Sequence, residues 1–401
     1  LVLSAGRRRF WSRPPNLIFL LTLLSTGLLV SCSRASESST LHWNRRAAAR
    51  YLDQREARWA TWPGAARDHG TFCVSCHTTL SYALARPEIQ ATDNDKAGAA
   101  EEASLIADVR ERVRLWRQAG PYYTGRQEES RGTESVLNAL ILATHDARNG
   151  RFSVDTRSAF EHMWALQKTS GEQRGAWAWL QFRQEPWEAP DSVYYGACLA
   201  ALATGSAPEA YRDSASVQPN LMLLREYLNR NYSAETPINH VTLLWASLKW
   251  HGLINAEMQQ SIISEIYEKQ RPDGGWSLAT LIGEWKRTDG TPLVLESDGY
   301  ATGLISYVLQ LAGVPHDDIH LRRGLMWLSR NQSWWNGHWP AYSLNKRRHD
   351  PFSNASQFMN DAATAYAAMA LAKADSVEPR AISGGTAVRG ALGFASRSQP
   401  R

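Results

Sequence analysis

Cysteine is scarce in this chain, and half of the few cysteines stand alone. The 401 residues contain four, and neither Cys32 nor Cys198 has another cysteine near it. Only Cys73 and Cys76 form a close pair. A structural zinc site with Cys pairs needs a second pair of ligands, so its absence argues against zinc.

The chain also has little net charge once its first segment is set apart. Its 44 Lys and Arg residues against 39 Asp and Glu residues give a net charge of +5. Four arginines and no acidic residue precede Cys32, and without them the net charge is +1. Most of the excess positive charge therefore lies in the first segment, and nothing in the composition indicates a nucleic-acid partner.

One long apolar run, residues 17–30, follows these arginines. A basic segment before an apolar run of this length is typical of an export signal, and the run is short for a membrane span. It ends in Leu29-Val30-Ser31-Cys32, which resembles the bacterial lipobox. The resemblance implies a lipid on Cys32 and a protein anchored to a membrane on the periplasmic side. An ordinary signal peptide and an uncleaved anchor are the alternatives.

The segment Cys73-Val74-Ser75-Cys76-His77 indicates the most specific chemistry. Two thiols three residues apart, with a His directly after the second, are what covalent attachment of haem c requires. Each sulfur adds to a vinyl group and the imidazole binds the iron. We therefore expect one covalent haem c on Cys73 and Cys76, with His77 as an axial ligand. A redox-active dithiol is the alternative.

The second axial ligand of that iron is left open by the sequence. No Met occurs before Met163, and no His lies between His77 and His145. A His from either side of the motif, a Met, or an open position could complete the site, giving electron transfer in the first two cases and small-ligand chemistry in the third. The histidines concerned are His42, His69, His145, His162 and His240.

A repeat of helix pairs occupies most of the remaining chain. Apolar helices, most of them opening with an acid, alternate with amphipathic segments at 160–167, 223–230, 262–270 and 325–332. The apolar helices begin at Glu134, Asp191, His240, Asp298 and Asp361. Buried helices that alternate with amphipathic ones predict an all-α fold, an α/α toroid with inner and outer helices.

Gln270-Arg271-Pro272-Asp273-Gly274-Gly275-Trp276 resembles the QW repeat of squalene–hopene cyclases and their relatives. Looser copies lie at 332–339 and 167–177, and the resemblance covers roughly residues 130–374. It implies the toroid fold, in which the glycine permits a turn, the amide satisfies helix-end groups and the indole packs over the next helix.

The chemistry of that family transfers less well. The cyclases protonate their substrate with an Asp of a D-x-D-D motif, and the best match here, Asn360-Asp361-Ala362-Ala363, lacks its other carboxylates. Proton-initiated cyclisation is therefore not expected. The acids that open the inner helices should meet at one rim, where Asp298 and Asp361 are candidate catalytic residues. Helix capping is the alternative role for them.

Aromatic residues on the inner helices allow two interpretations. They could line an apolar pocket for a terpenoid-like ligand, or fill the core. The residues are Tyr194, Tyr195, Trp245, Tyr300 and Tyr366.

These features divide the chain into five parts: a signal peptide (1–31), a lipoprotein-type tether (32–42), a haem c attachment segment (43–102), the toroid (103–375) and a disordered tail (376–401). The leading functional hypothesis is an exported, membrane-anchored mono-haem c-type cytochrome that transfers electrons with a redox partner. The alternatives are an enzyme or binding protein for terpenoids or prenyl lipids, and a non-catalytic scaffold subunit of a membrane redox complex.

Overall fold

Thirteen α-helices make up the described part of the chain, residues 41–89, 96–347, 350 and 353–377 of a computed structural model. Within these ranges there is no β-strand, only two isolated bridges. The helices are α1 (Arg45–Ala60), α2 (Thr79–Ala85), α3 (Lys96–Arg114), α4 (Gln127–Arg148), α5 (Val154–Ala165), α6 (Ser192–Ser206), α7 (Glu209–Arg212), α8 (Gln218–Asn231), α9 (Pro237–Lys249), α10 (Ala256–Glu268), α11 (Gly299–Leu311), α12 (Ile319–Arg330) and α13 (Asn354–Val377).

Six helices form a closed inner ring. The helices α2, α4, α6, α9, α11 and α13 pack in this order, and α13 returns to α2 to close the ring. Every residue of α2 is buried, as are nearly all residues of α6 and α11. A helix that is apolar on all sides is stable only when protein surrounds it, which is why these sequences lie inside. The predicted all-α toroid is confirmed.

The helices α1, α3, α5, α8, α10 and α12 surround this ring. Each precedes an inner helix in the chain and packs against one or two of them. Their buried residues follow a single stripe: α10 buries only Ile262, Ile263 and Ile266. That spacing is the pattern expected of a helix with one face on the core. The molecule is therefore a barrel of six outer–inner helix pairs.

Three Gln–Trp segments connect an outer helix to the next inner helix in the same way. The indole of each Trp donates a hydrogen bond to a carbonyl of the preceding outer helix, at 2.6–2.8 Å. The Trp–carbonyl pairs are Trp177–Met163, Trp276–Ile266 and Trp339–Leu328. Such bonds satisfy helix-end carbonyls that have no partner within the helix. Gly274 adopts a φ of 95°, which only glycine reaches without strain.

Residues 43–89 and 96–102 belong to the same compact unit as the rest of the described chain. They supply α1, α2 and the start of α3, so the C-x-x-C-H motif lies in the connection between the first outer and first inner helix. This connection enters the barrel at the end where the inner helices begin, which we call the mouth.

The predictions for the two ends of the chain fall largely outside the described residues. These include the signal peptide, Cys32 and most of the tether, together with the tail beyond Val377. In the part of the chain that the structure describes, no helix is long and apolar enough to cross a membrane.

Candidate active site

His77 lies at the mouth among aromatic side chains. Its ring stacks on Phe358 with 3.7 Å between centroids, and Trp59 meets it edge-on at 4.9 Å. Trp187, from the loop before α6, lies 5.7 Å away. Burial lowers the pKa of His77 to about 3, so the imidazole is neutral at pH 7.

Thr78 determines which nitrogen of His77 carries the proton. The Thr78 hydroxyl donates to a carboxylate oxygen of Asp361 at 2.7 Å, and the same Oγ1 lies 2.8 Å from Nδ1 of His77. A hydroxyl has one proton to donate, so Nδ1 of His77 must be the donor in the second bond. The proton is therefore on Nδ1, and Nε2 keeps its lone pair, as in a neutral imidazole ready to bind a metal.

Asp361 holds this arrangement in place. Arg55 donates from Nε and Nη2 to the two carboxylate oxygens at 2.7 and 3.0 Å, and Tyr51 donates to one of them at 2.9 Å. Both side chains of the ion pair are almost wholly buried. Burial raises the pKa of Asp361, but the paired guanidinium opposes it and keeps the carboxylate ionised. Asp361 therefore positions Thr78 and is not a free acid.

The two motif cysteines are unpaired and buried. Burial raises the pKa of Cys73 to about 12 and that of Cys76 well above its ordinary value. Both are neutral thiols at pH 7. A redox-active dithiol works through a thiolate of low pKa, so this environment does not favour that alternative.

Glu188 is the acid that the sequence analysis missed. It follows Trp187 in the loop before α6, is half-buried, and its negative charge raises the pKa of both motif thiols. Burial raises its own pKa to about 7. Its carboxyl has neither a hydrogen-bond donor nor an ion-pair partner among the described residues. A carboxyl with this pKa beside a cluster of aromatic side chains is a candidate for acid–base work.

A second pair of carboxyls, Glu185 and Asp191, flanks Glu188 in the chain. Glu185 Oε2 and Asp191 Oδ1 are both buried without a donor from the described residues. Burial raises the pKa of both groups, and burial together with the Asp191 carboxyl raises that of Glu185 to about 8. Two carboxyls that interact in this way tend to share one proton, because ionising both is unfavourable.

The remaining acids of the expected rim serve structural roles. Asp298 caps α11: its Oδ1 accepts from Ala301 N at 2.9 Å and its Oδ2 from Leu278 N at 2.6 Å. Burial raises its pKa to about 7. Glu134 forms a fully buried ion pair with Arg112 at 2.6 Å. The contacts of Asp298 agree with helix capping, which was the alternative to catalysis, and Glu134 is held by its ion pair.

The inner-helix aromatics fill the centre of the barrel. Tyr300 lies 5.9 Å from Trp187 and 5.0 Å from Tyr366, and Trp245 lies 6.3 Å from Tyr366. The remaining two, Tyr194 and Tyr195, are also buried. Because these rings pack on one another, they form part of the core of the described chain.

Four of the histidines considered as second iron ligands contact other residues through their side chains, and His42 bonds through its backbone N–H. The contacts are His42 N to Ser329, His69 to Asp68, His145 to Glu102, His162 stacked on Trp116, and His240 to Glu265. Among the described residues no group of three or more His, Cys, Asp and Glu side chains is placed to hold a metal ion.

Comparison with protein-family models and with curated proteins finds no match. Among solved structures, an inactive variant of an α-1,6-mannanase from Salegentibacter sp. in complex with α-1,6-mannotriose is 12% identical, with a TM-score of 0.48, and the match covers 82% of this chain and 100% of that one. A glycosidase variant is 14% identical, with a TM-score of 0.45 and coverage of 82% and 97%. A polysaccharide lyase is 12% identical, with a TM-score of 0.34 and coverage of 84% and 92%.

These comparisons correct the expected family. These three structures are carbohydrate-active proteins, and not the squalene–hopene cyclases and relatives that the QW segments resemble or a haem cytochrome. The Gln–Trp segments do connect the helices as expected, but as fold elements they do not identify the family. The resemblance to terpenoid cyclases carrying a cytochrome motif is therefore wrong as a statement of family.

The functions that followed from that family are corrected with it. The chain is not assigned as an electron-transferring mono-haem cytochrome, a terpenoid or prenyl-lipid enzyme, or a scaffold subunit of a redox complex. The structure supplies physical reasons: Asp361 is held ionised by Arg55, and aromatic rings fill the barrel centre. A cyclase needs a neutral acid and an apolar cavity at those two places.

Proposed function

We propose that the chain is an acid–base enzyme whose active site is the mouth of the barrel, with Glu188 as the group that gives and takes the proton. The observation that carries this proposal is the Glu188 carboxyl, which is half-buried, has no partner among the described residues and has a pKa raised by burial to about 7. A group with its pKa near neutrality is present in both protonation states at working pH, which is what general acid–base catalysis needs.

The carboxyl groups of the loop before α6 are the basis for proposing a saccharide as substrate. Cleavage of a glycosidic bond uses one protonated carboxyl and one carboxylate. Glu188 supplies the proton, and the pair of Glu185 and Asp191 retains one ionised carboxylate beside it in the chain.

The test is the release of reducing ends from two soluble polysaccharides, acidic polygalacturonate and neutral dextran, by wild type and variants. Glu188→Gln should lower kcat by roughly 10²–10⁴-fold. Glu188→Asp should keep part of the activity, since it retains a carboxyl. The matched control is Glu128→Gln, which removes an exposed carboxyl on the surface. Full activity of Glu188→Gln, or no release from either polymer by wild type, contradicts the proposal.

A second proposal concerns the cofactor and is separate from the corrected electron-transfer function. We propose one covalent haem c, joined through Cys73 and Cys76, with His77 as axial ligand. The specific observation is the bond from His77 Nδ1 to Thr78, which leaves Nε2 free in a neutral ring. The two neutral thiols suit the attachment, in which each S–H adds across a vinyl group, and haem would supply an iron centre at the mouth.

The mass of the protein, exported in cells that attach haem c, tests the cofactor. We expect the polypeptide plus one haem, and loss of that added mass in Cys73→Ser with Cys76→Ser. The mass of the bare polypeptide in wild type contradicts the cofactor proposal without affecting that for Glu188. Export, the lipid on Cys32, and contact with a membrane or partner protein stay predictions about residues outside the described ranges or about unseen partners.

A further inference from the structure

A cavity of about 960 Å³ lies beside the mouth, between the segments 291–296 and 335–347 and the first turns of α13. Among the described residues that line it, four side chains are cationic and one, Glu296, is acidic. The cations are Arg271, Arg287, Lys346 and Arg347. We propose that this cavity, the basic groove, binds an acidic saccharide, a sugar chain that carries carboxylate groups.

Arg271 carries an unsatisfied donor in the basic groove. Its Nε is buried and has no acceptor among the described residues, and no ion pair joins its guanidinium to any of them. The guanidinium cannot lose its proton at any pH that proteins experience. A charge partly removed from water, with a donor left over, is stabilised by an anion that accepts from it. A carboxylate matches the planar fork of this side chain.

Arg287 and Arg347 concentrate positive charge at the other wall. Arg287 is buried and donates to the carbonyls of Ser343 and Pro292 at 2.6 Å each. Burial lowers the pKa of Arg287; the Asp289 charge opposes that effect and the Arg347 charge adds to it. Two acids offset these cations: Glu296 in the lining, and Asp289, whose pKa is held at about 2 by hydrogen bonds from Thr291 and the Arg347 N–H. The groove therefore keeps an excess of positive charge.

The uncharged part of the lining suits a sugar ring. Trp335 lines the groove with 62% of its surface exposed, which leaves an aromatic face open to a ligand. Asn336, Gln357 and Asn360 place amide groups in the same lining. A concave site with an aromatic face, a few amides and fixed charges is typical of ligand binding.

The groove and the mouth share α13. Gln357 and Asn360 line the groove, while the adjacent Phe358 and Asp361 contact His77 and Arg55 at the mouth. A saccharide chain bound in the groove would therefore approach the mouth across one turn of helix. The saccharide class rests on the proposed function of Glu188, whereas the preference for an anion rests on the groove alone.

Calorimetric titration with polygalacturonate and with dextran tests the inference. Wild type should bind polygalacturonate more tightly than dextran, with an affinity that falls as salt rises. Arg271→Gln, and the double change Lys346→Gln with Arg347→Gln, should each weaken that binding by about tenfold or more, since each loses charge-assisted contacts. The double change Arg225→Gln with Arg230→Gln, which removes two exposed cations from the outer helix α8, should leave it unchanged.

Equal affinity for the two polymers, absence of binding to polygalacturonate, or an equal loss in the α8 control would overturn the inference. Unfolding temperatures of all variants show whether a loss reflects the fold. Glu188→Gln separates this inference from the proposed function, because it should remove turnover and keep binding. If the groove variants keep both their turnover and their affinity for polygalacturonate, the inference about the groove is wrong and the proposed function of Glu188 is unaffected.

Discussion

The hydroxyl of Thr78 donates to Asp361 at 2.7 Å and so has no proton left for His77. This contact connects the first inner helix, α2, to the last, α13, across the point where the ring closes. It also fixes the proton of His77 on Nδ1. The Thr78 hydroxyl therefore both helps to close the ring of inner helices and determines the tautomer of His77.

Without that hydroxyl, His77 should no longer be restricted to the Nδ1–H tautomer. In Thr78→Val the Nδ1 proton has no acceptor from residue 78, so both tautomers should become populated. Thr78→Ser keeps the hydroxyl and should behave as wild type. Nitrogen-15 NMR of the imidazole measures this, and a Thr78→Val spectrum identical to that of wild type would show that Thr78 does not set the proton.

Loss of Arg55 should destabilise the fold strongly. Arg55→Met leaves the buried carboxylate of Asp361 without its cation, which costs about 3–5 kcal/mol when one partner of a buried pair is removed. The double change Arg55→Met with Asp361→Leu removes both charges and should cost less than the single one. Urea unfolding measures both, and a double variant less stable than the single one would contradict this account.

The indole N–H of Trp276 should stabilise the fold in addition to the packing of its aromatic ring. Trp276→Phe keeps an aromatic group but loses the buried bond to the Ile266 carbonyl, which costs roughly 1–3 kcal/mol. Trp334 is 94% exposed, so Trp334→Phe is the matched control and should change stability by less than about 0.5 kcal/mol. Thermal unfolding compares the two. Equal effects would mean that the repeated Trp–carbonyl bond does not hold the helix pairs together.

Glu56 should make stability fall as pH rises. Its carboxyl is wholly buried, and burial, only partly offset by Thr79, raises its pKa from 4.5 to about 8. The folded state then holds a proton that the unfolded state has already lost between those two pH values. The contribution of Glu56 to the free energy of unfolding is therefore fully present below pH 4.5 and is lost as pH rises to 8.

Glu56→Gln removes that titration, so the difference in unfolding free energy between wild type and variant should drift in favour of the variant from pH 5 to pH 8. The drift is on the order of several kcal/mol, because one pKa unit corresponds to about 1.4 kcal/mol. Glu172→Gln, at an exposed site, should show no such drift. A flat difference for Glu56→Gln would mean that this carboxyl is ionised in the fold.

Much of the fold follows from the sequence because its helices are long and strongly patterned. The five apolar segments become α4, α6, α9, α11 and α13, and the amphipathic ones become the outer helices. The sixth inner helix, α2, escaped recognition because its seven residues are too few to show a periodicity and directly follow the C-x-x-C-H motif.

The candidate site was harder to predict. Glu188 is a single acid in a loop, and its raised pKa comes from burial by residues distant in the chain, which no local pattern contains. Asp361 and Asp298 stood out because they precede apolar helices, yet their partners, Arg55 and backbone N–H groups, give them structural roles. The QW segments predicted helix connections correctly and family membership wrongly, since the same connection serves any barrel of this kind.

The most direct test of the central claim is the pKa of Glu188 in the folded protein, read from the carboxyl signal that Glu188→Gln removes from the infrared or carbon-13 spectrum. We predict a value of about 7, and we expect the release of reducing ends to decline as pH rises through that value. A pKa in the ordinary range near 4.3, with turnover that does not depend on Glu188, would contradict it.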